Sequence, residues 1–148
     1  MSKILFVCLG NICRSPLAQA VAEHYAVKHQ LNWEIDSAGT GNWHEGKAPC
    51  EHSIKIAKEN GLDIANYQAR QVTQKDFKYY DLIIGLDESN INNLKDLGCK
   101  NPLKLGDFGF NGEDVPDPYF FDGFEGFDKV FNMIETATLT LLKEKFPL

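Results

Sequence analysis

The chain opens on an unbroken apolar run, Ile4-Leu5-Phe6-Val7, that ends at Cys8, and five residues separate this cysteine from Arg14. The run predicts a strand buried on both faces, and Ser15-Pro16 predicts a helix start with Ser15 as the N-cap. A loop that closes onto a helix N-terminus points free N–H groups into one concavity, where they favour an anion. The sequence therefore predicts a phosphate cradle built around a thiol.

Cys8 and Arg14 have the chemistry that such a cradle needs. The planar guanidinium of Arg14 offers a fork of donors that matches two phosphate oxygens. The positive field of the loop favours the Cys8 thiolate, which is the reactive form. Each residue alone has an ordinary explanation, because strand-end cysteines are commonly core residues and first-turn arginines are commonly solvated. Together they indicate a nucleophile in a phosphate-binding loop.

Strand-like and helix-like segments alternate along the rest of the chain. Predicted strands cover 4–8, 33–36, 82–86 and 102–105, and predicted helices cover 15–25, 49–60, 73–77, 88–97 and 127–141. This alternation predicts a parallel sheet with helices on both faces, whose ligands bind at the carboxyl ends of the strands. Four features fall at that edge: Cys8, Ser37, Asp87 and the glycine- and proline-rich loop 106–121.

Composition limits the other function classes. The 148 residues suit one domain, 1–148, and the net charge of −6 disfavours a nucleic-acid partner. No apolar run approaches the ~20 residues of a membrane span, and no signal peptide is recognisable, so we expect a cytoplasmic protein. Cysteines in that compartment do not imply disulfides, and the four histidines form no ligand cluster. We therefore expect no metal and no cofactor.

Five segments resemble signatures of the low-molecular-weight protein tyrosine phosphatases. They are C-L-G-N-I-C-R-S at 8–15, D-S-A-G-T at 36–40, A-R-Q-V-T at 69–73, D-E-S-N at 87–90 and D-P-Y at 117–119. The family carries the first signature near the N-terminus, as this chain does. The resemblance covers Ile4 to about Tyr119, and the closing helix fits as well. It implies a flavodoxin-like three-layer α/β fold with a central four-stranded parallel sheet.

The resemblance also implies a reaction and the residues that perform it. Cys8 attacks phosphorus to form a phosphocysteine, Arg14 binds the phosphate, and Asp117 acts as general acid and base. The expected substrate- and phosphate-binding residues are Leu9, Gly10, Asn11, Ile12, Cys13, Ser15, Trp43 and Tyr119. The implied partners are phosphotyrosine-containing proteins, with inorganic phosphate as product and no cofactor.

Roles for three loop residues follow in part from chemistry. Gly10 is expected to let the backbone turn tightly, and Asn11 to brace the loop through its amide or to serve as a left-handed turn residue. The resemblance implies that Ser15 donates a hydrogen bond to the thiolate, and its hydroxyl is expected to cap the helix as well.

The general acid is less well determined by the residues themselves. A leaving tyrosinate needs a proton because its conjugate acid has a pKa of about 10. Residue chemistry leaves four candidates in or beside the loop: Glu113, Asp114, Asp117 and Asp122. Only the resemblance, through Asp117-Pro118-Tyr119, selects Asp117.

Specificity for phosphotyrosine requires a slot deep enough that only a long, flat substrate reaches the thiolate. Trp43 and Tyr119 stand at positions that resemble the slot walls of the family, and Leu9 and Ile12 are expected on its floor and sides. The chain departs from the family at Tyr67-Gln68, where many members carry a histidine that supports the hydrogen-bond network of the site.

Three other functions stay open. An arsenate reductase on the same fold uses a similar loop but needs further cysteines close together, whereas Cys50 and Cys99 are far apart. A protein-arginine phosphatase carries threonine in place of Ile12, and a branched apolar residue there favours an aromatic substrate. A phosphopeptide-binding module would not need both a nucleophile and an acid.

The loop also predicts sensitivity to oxidation. An accessible thiolate is the first thiol to become a sulfenic acid, and a nearby thiol can then condense with it. Cys13 is the only cysteine close to Cys8 in sequence, whereas Cys50 and Cys99 are interpreted as isolated. We therefore expect peroxide to inactivate the protein reversibly through a Cys8–Cys13 disulfide.

Overall fold

The computed structural model describes residues 2–118 and 125–147. In these ranges four strands form one sheet: β1 (Lys3–Cys8), β2 (Glu34–Gly39), β3 (Leu82–Gly85) and β4 (Leu103–Lys104). The strands lie in the order β2-β1-β3-β4, and every neighbouring pair is parallel. The predicted four-stranded parallel sheet is confirmed, and its interior strand β1 delivers Cys8 to the carboxyl edge.

Helices cover both faces of the sheet. They are α1 (Arg14–Lys28), α2 (Glu51–Glu59), α3 (Gln74–Tyr79), α4 (Glu88–Asp96) and α5 (Glu125–Lys145), with a 3₁₀ turn at Leu105–Asp107. Because side chains alternate along a strand, Ile4 and Phe6 pack with α1, α2 and α5, while Leu5 and Val7 pack toward α3 and α4. Of the helices in the described ranges, none combines the length and apolar character that crossing a bilayer requires.

The first helix begins earlier than the sequence predicts. Helix α1 starts at Arg14 with Cys13 as its N-cap, so the prediction of Ser15 as the N-cap is wrong. The Ser15 hydroxyl instead contacts Cys8 and Asn11. Pro16 still lies in the first turn, where its missing N–H leaves no intrahelical hydrogen bond unmade.

The end of β2 lies directly against the loop that follows β1. A Cβ atom on Gly39 would stand 2.8 Å from the carbonyl oxygen of Leu9, so only glycine permits this approach. Gly39 also donates its N–H to the carbonyl of Arg70 and accepts from the N–H of Val72, at 2.8 Å each. The segment around Arg70 is thereby held beside the loop.

Candidate active site

The Cys8 thiol is buried at the end of β1 and has two polar neighbours. Its Sγ lies 3.0 Å from the Ser15 hydroxyl and accepts the backbone N–H of Asn11 at 3.3 Å. Asn11 has a φ of 58°, in the left-handed region that turns its amide back toward the sulfur. Two donors therefore stand ready to stabilise a thiolate.

The Asn11 side chain decides which way the Ser15 hydroxyl points. Its Nδ2 donates to Ser15 Oγ at 2.8 Å and to Ser37 Oγ at 2.9 Å, while its Oδ1 accepts the N–H of Arg70 at 3.0 Å. Because Ser15 accepts from Asn11, its own proton is free to point at Cys8. Asn11 is thus both a left-handed turn residue and a brace of the loop.

Gly10 lies in the bend that follows β1. The left-handed residue of the loop is Asn11, and Gly10 is not among the positive-φ residues described. A Cβ atom on Gly10 would stand 3.0 Å from Cδ2 of His44. Glycine at this position therefore lets the His44 ring approach the loop.

The hydrogen bonds continue from the loop toward the protein surface. Ser37 donates to Oε1 of Gln19 at 2.6 Å, Gln19 donates to Glu23, and the Tyr67 hydroxyl also donates to Glu23. Burial raises the pKa of Glu23, and burial together with Glu23 raises that of Tyr67. Gln68 is exposed, whereas the neighbouring Tyr67 is half-buried and joins the network through Glu23.

Arg14 is buried and held at one end of its guanidinium. Its Nη1 donates to Oδ2 of Asp87 at 2.6 Å and to the carbonyl oxygen of Val115 at 2.9 Å, which uses both protons of that nitrogen. Burial opposes the charge, but Cys8 and Asp87 outweigh it and raise the pKa of Arg14. The Nε and Nη2 groups are left to bind a ligand.

Asp117 stands beside this guanidinium. Its Oδ2 lies 4.0 Å from Nη2 of Arg14, and both residues line the same cleft as Cys8. Asp114 lies elsewhere, because it pairs with Lys104 at 2.8 Å and accepts the N–H of Glu88. Lys104 lowers the pKa of Asp114, which makes this carboxyl a poor proton donor at neutral pH.

Of the other two acid candidates, the structure describes only Glu113. Glu113 is exposed and lies outside the lining, and Asp122 lies outside the described residues. Of the three candidates that the structure describes, Asp117 is the one that lines the same cleft as the thiol.

A small cleft above the thiol collects most of the expected binding residues. Its lining in the described part of the chain consists of Cys8, Leu9, Gly10, Ile12, Cys13, Arg14, Trp43, His44 and Asp117. Trp43 is 66% exposed and forms part of the rim, whereas Ile12 is buried. Asn11 and Ser15 are buried and do not belong to this lining, and Tyr119 lies outside the described residues.

Sequence reasoning missed His44 as a residue of the cleft. The sequence showed His44 only as one of four histidines without a ligand cluster, and no spacing connects it with the loop because tertiary folding brings it there. Within residues 2–118 and 125–147, no three His, Cys, Asp or Glu side chains are grouped so that they could hold a metal ion.

The thiol nearest to Cys13 comes from a distant part of the chain. Cys50 was interpreted as isolated, and this is wrong, because its Sγ lies 2.9 Å from the Sγ of Cys13. Cys99 is buried in the apolar cluster on the opposite face of the sheet. All four cysteines are free thiols, so the Cys8–Cys13 disulfide stays a prediction.

A cysteine at the end of an interior parallel strand, in a loop closed by a buried arginine with an aspartate nearby, defines the class of cysteine-dependent phosphatases. The model of the family described as low molecular weight phosphotyrosine protein phosphatase matches residues 3–145. The chain belongs to this family, and its fold is the flavodoxin-like α/β fold of the solved family structures.

Full-length relatives agree with this assignment. The chain is 41% identical over 150 residues to the low molecular weight protein-tyrosine-phosphatase YfkJ of Bacillus subtilis, covering 96% of this chain and 94% of the relative. The low molecular weight phosphotyrosine protein phosphatase of Saccharomyces cerevisiae is 39% identical over 153 residues, with 96% and 94% covered.

Two crystal structures illustrate the similarity of fold. That of YfkJ superposes with a TM-score of 0.89 at 37% identity, covering 100% of this chain and 98% of the other. A structure described as Drosophila arginine phosphatase also has a TM-score of 0.89, at 32% identity with 97% and 98% covered. The fold is thus shared by proteins named for two different phosphorylated side chains.

Proposed function

We propose that this chain hydrolyses protein phosphotyrosine through a phosphocysteine intermediate on Cys8. The observation that carries the proposal is the grouping of three side chains: a thiol with two hydrogen-bond donors, the anchored Arg14 beside it, and Asp117 4.0 Å from the guanidinium. A nucleophile, an electrophilic clamp and an acid are the parts that phosphoryl transfer requires.

In the first step, the Cys8 thiolate attacks phosphorus in line with the bond to the phenolic oxygen. That P–O bond breaks, and the Asp117 carboxyl group gives its proton to the leaving oxygen. The Nε and Nη2 donors of Arg14 and the amides of the loop bind the equatorial oxygens, where negative charge is concentrated in the transition state. Ser15 and Asn11 stabilise the thiolate before attack.

In the second step, water hydrolyses the phosphocysteine. The Asp117 carboxylate now accepts a proton from water, the water oxygen attacks phosphorus, and the P–S bond breaks. Inorganic phosphate leaves, Cys8 returns to its thiolate, and Asp117 is again protonated. The proposed roles are all filled by the protein, so no cofactor takes part.

The walls of the cleft support an aromatic substrate. Leu9 is 40% exposed and Trp43 is 66% exposed, so apolar surface is available at the mouth of the cleft, above the buried thiol. A phenyl ring can bury this surface while its phosphate reaches the loop, whereas phosphoserine is too short to do both. Tyr119 is proposed as a further wall residue on the resemblance alone.

Protein-arginine phosphatase is the second candidate, and one observation keeps it open. The structure described as an arginine phosphatase superposes on this chain as well as that of YfkJ does, so the fold does not discriminate. Ile12 favours phosphotyrosine, because a buried apolar side chain offers no hydrogen bond to a guanidinium.

A turnover assay with phosphotyrosine, phosphoserine and phosphoarginine peptides tests the proposal. We expect phosphotyrosine to be preferred, activity to survive a chelator, and Cys8→Ser to abolish turnover. A Cys99→Ser variant is the matched control, because this thiol is remote from the loop, and it should leave activity unchanged. A preference for phosphoarginine, or turnover by Cys8→Ser, would contradict the proposal.

We further propose that residues 1–148 act as one catalytic domain in the cytoplasm on phosphotyrosine-containing proteins. The family match over residues 3–145 supports a single domain. A reducing compartment would keep the nucleophilic thiol active. The net charge of −6 disfavours nucleic acid as a partner.

A further inference from the structure

Cys13 and Cys50 form a dithiol beside the catalytic loop that the proposed reaction does not use. Their sulfur atoms are 2.9 Å apart, compared with about 2.05 Å in a disulfide. Two further hydrogen bonds hold the segments together. The Cys50 N–H donates to the carbonyl of Ile12 at 2.8 Å, and the Ser53 hydroxyl donates to the carbonyl of Cys13 at 3.1 Å. The contact is therefore part of how α2 packs against the loop.

The two thiols differ in exposure and in charge. Cys13 is buried, whereas Cys50 is half-buried at the N-cap of α2 and reachable from solvent. The hydrogen bond with the Cys13 thiol lowers the pKa of Cys50 to about 6, although burial alone would raise it. Ser53 and His52 lower this pKa further. The contact with Cys50, together with burial, raises the pKa of Cys13. Cys50 is thus the thiol of the pair that has both the lowered pKa and access to solvent, and Cys13 is its buried neighbour.

We propose that Cys13 and Cys50 are a second redox site, at which a hydroperoxide oxidises Cys50 first and Cys13 then closes a Cys13–Cys50 disulfide. The Cys50 thiolate attacks the peroxide oxygen, the O–O bond breaks, and the leaving oxygen takes a proton to become an alcohol or water. The Cys13 sulfur then attacks the Cys50 sulfenic acid, and water leaves with the Cys13 proton. The dithiol loses two electrons and the peroxide gains two.

This disulfide would have a different consequence from one between Cys8 and Cys13. It joins the phosphate loop to the start of α2 and leaves the nucleophile reduced. Because Cys13 can form only one disulfide, its bond to Cys50 also removes the neighbouring thiol with which an oxidised Cys8 was expected to condense. The two disulfides exclude each other, and the products of oxidation distinguish them.

Peptide mapping separates the two disulfides directly. Trypsin releases Cys8 and Cys13 together in peptide 4–14, Cys50 in peptide 48–55 and Cys99 in peptide 96–100. After treatment with one equivalent of hydrogen peroxide and alkylation of the remaining thiols, a Cys13–Cys50 bond links peptides 4–14 and 48–55. A Cys8–Cys13 bond instead leaves peptide 4–14 unlinked and two hydrogens lighter.

We expect the linked pair of peptides to be the main oxidised species in the parent protein. It should form equally fast in Cys8→Ser, where Cys13 is the only cysteine left in peptide 4–14. Cys50→Ser and Cys50→Ala should both abolish the link without changing turnover of reduced enzyme, and Cys99→Ser should behave like the parent.

Two results would overturn the proposal. One is an internal disulfide in peptide 4–14 as the only product in the parent. The other is a link that forms only when Cys8 is present, because oxidation would then enter at the nucleophile. Both readouts are masses of peptides, so they do not depend on which substrate the enzyme hydrolyses.

Discussion

The carboxylate of Asp87 binds Arg14 and caps helix α4 at the same time. Its Oδ2 accepts from Nη1 of Arg14 at 2.6 Å, and its Oδ1 accepts the backbone N–H of Asn90 at 2.7 Å. The Asn90 side chain returns a hydrogen bond by accepting the N–H of Asp87, which completes a capping box. The start of α4 therefore sets where the guanidinium stands relative to the thiol.

Asp87→Asn should reduce catalysis more than stability. Asparagine keeps an oxygen for the cap but removes the charge that holds Arg14, and hydrogen bonds to charged groups contribute about 1.5–3 kcal/mol. We expect kcat/KM for phosphotyrosine to fall by about 10–100-fold.

The control is Asn90→Ala, which breaks the capping box but leaves the Asp87–Arg14 contact in place. It should lower the free energy of unfolding by about 1–2 kcal/mol and leave kcat nearly unchanged. Equal kinetic effects of the two variants would contradict the role of Asp87.

Arg14→Lys should be severe even though the charge is kept. Lysine cannot bind Asp87 and Val115 with one nitrogen and present two further donors to phosphate. We expect kcat to fall by about 10²–10³-fold, the cost of losing a transition-state donor in comparable sites. Steady-state kinetics and urea unfolding of the same preparation separate this effect from a loss of fold. Near-normal turnover would mean that the loop amides stabilise the transition state alone.

Asp117→Asn should affect poor leaving groups more than good ones. Hydrolysis of phosphotyrosine requires protonation of the phenolate, whereas an ester of an acidic phenol does not, so we expect about 10²–10⁴-fold loss for the first and far less for the second. Asp114→Asn is the matched control, because this carboxylate is paired with Lys104. Equal losses on both substrates would exclude Asp117 as the acid.

Ile12→Thr should shift the choice of substrate. Ile12 is buried, lines the cleft and packs with Cys13 and Ala69, so threonine removes apolar contact and adds a hydroxyl that can bind a guanidinium. We expect lower kcat/KM for phosphotyrosine and new turnover of phosphoarginine, measured on the same panel of peptides. An unchanged ratio would remove Ile12 from the explanation of specificity.

Alkylation of Cys50 should follow its low pKa of about 6. A lowered pKa means that the thiolate persists at neutral pH, so the rate of modification of peptide 48–55 by iodoacetamide should reach its plateau near pH 7. Below pH 6 this rate should fall about tenfold per pH unit.

The groups that face this thiol are Cys13, Ser53 and His52. Cys13→Ala removes the largest of these effects. In this variant the midpoint of the curve of alkylation rate against pH should move toward the ordinary thiol pKa of 9.0. A midpoint near 9 in the parent protein would contradict the assignment of Cys50 as the thiolate.

The sequence by itself determined the strand, loop and helix that hold the nucleophile, because these depend on neighbours along the chain. An apolar run predicts β1, and the spacing of Cys8 and Arg14 predicts a loop that closes onto a helix. The short helix predicted at 73–77 is confirmed as α3, and Thr73 is its N-cap, with its N–H donating to the Asp76 side chain. Local patterns did not place the start of α1, because the Ser15 hydroxyl is used by Asn11 and Cys8 and does not cap the helix.

Only the tertiary structure decided which groups meet at the site. Arg14 and Asp87 are 73 residues apart, and Cys13 and Cys50 are 37 apart. No spacing rule connects such pairs, since their distance depends on the order of parallel strands and on the close approach of Gly39 to the loop. A hydrogen bond or a thiol contact needs atoms placed within a few tenths of an ångström. That precision comes from the packing of the whole domain, whereas the chemistry of each side chain was already present in the sequence.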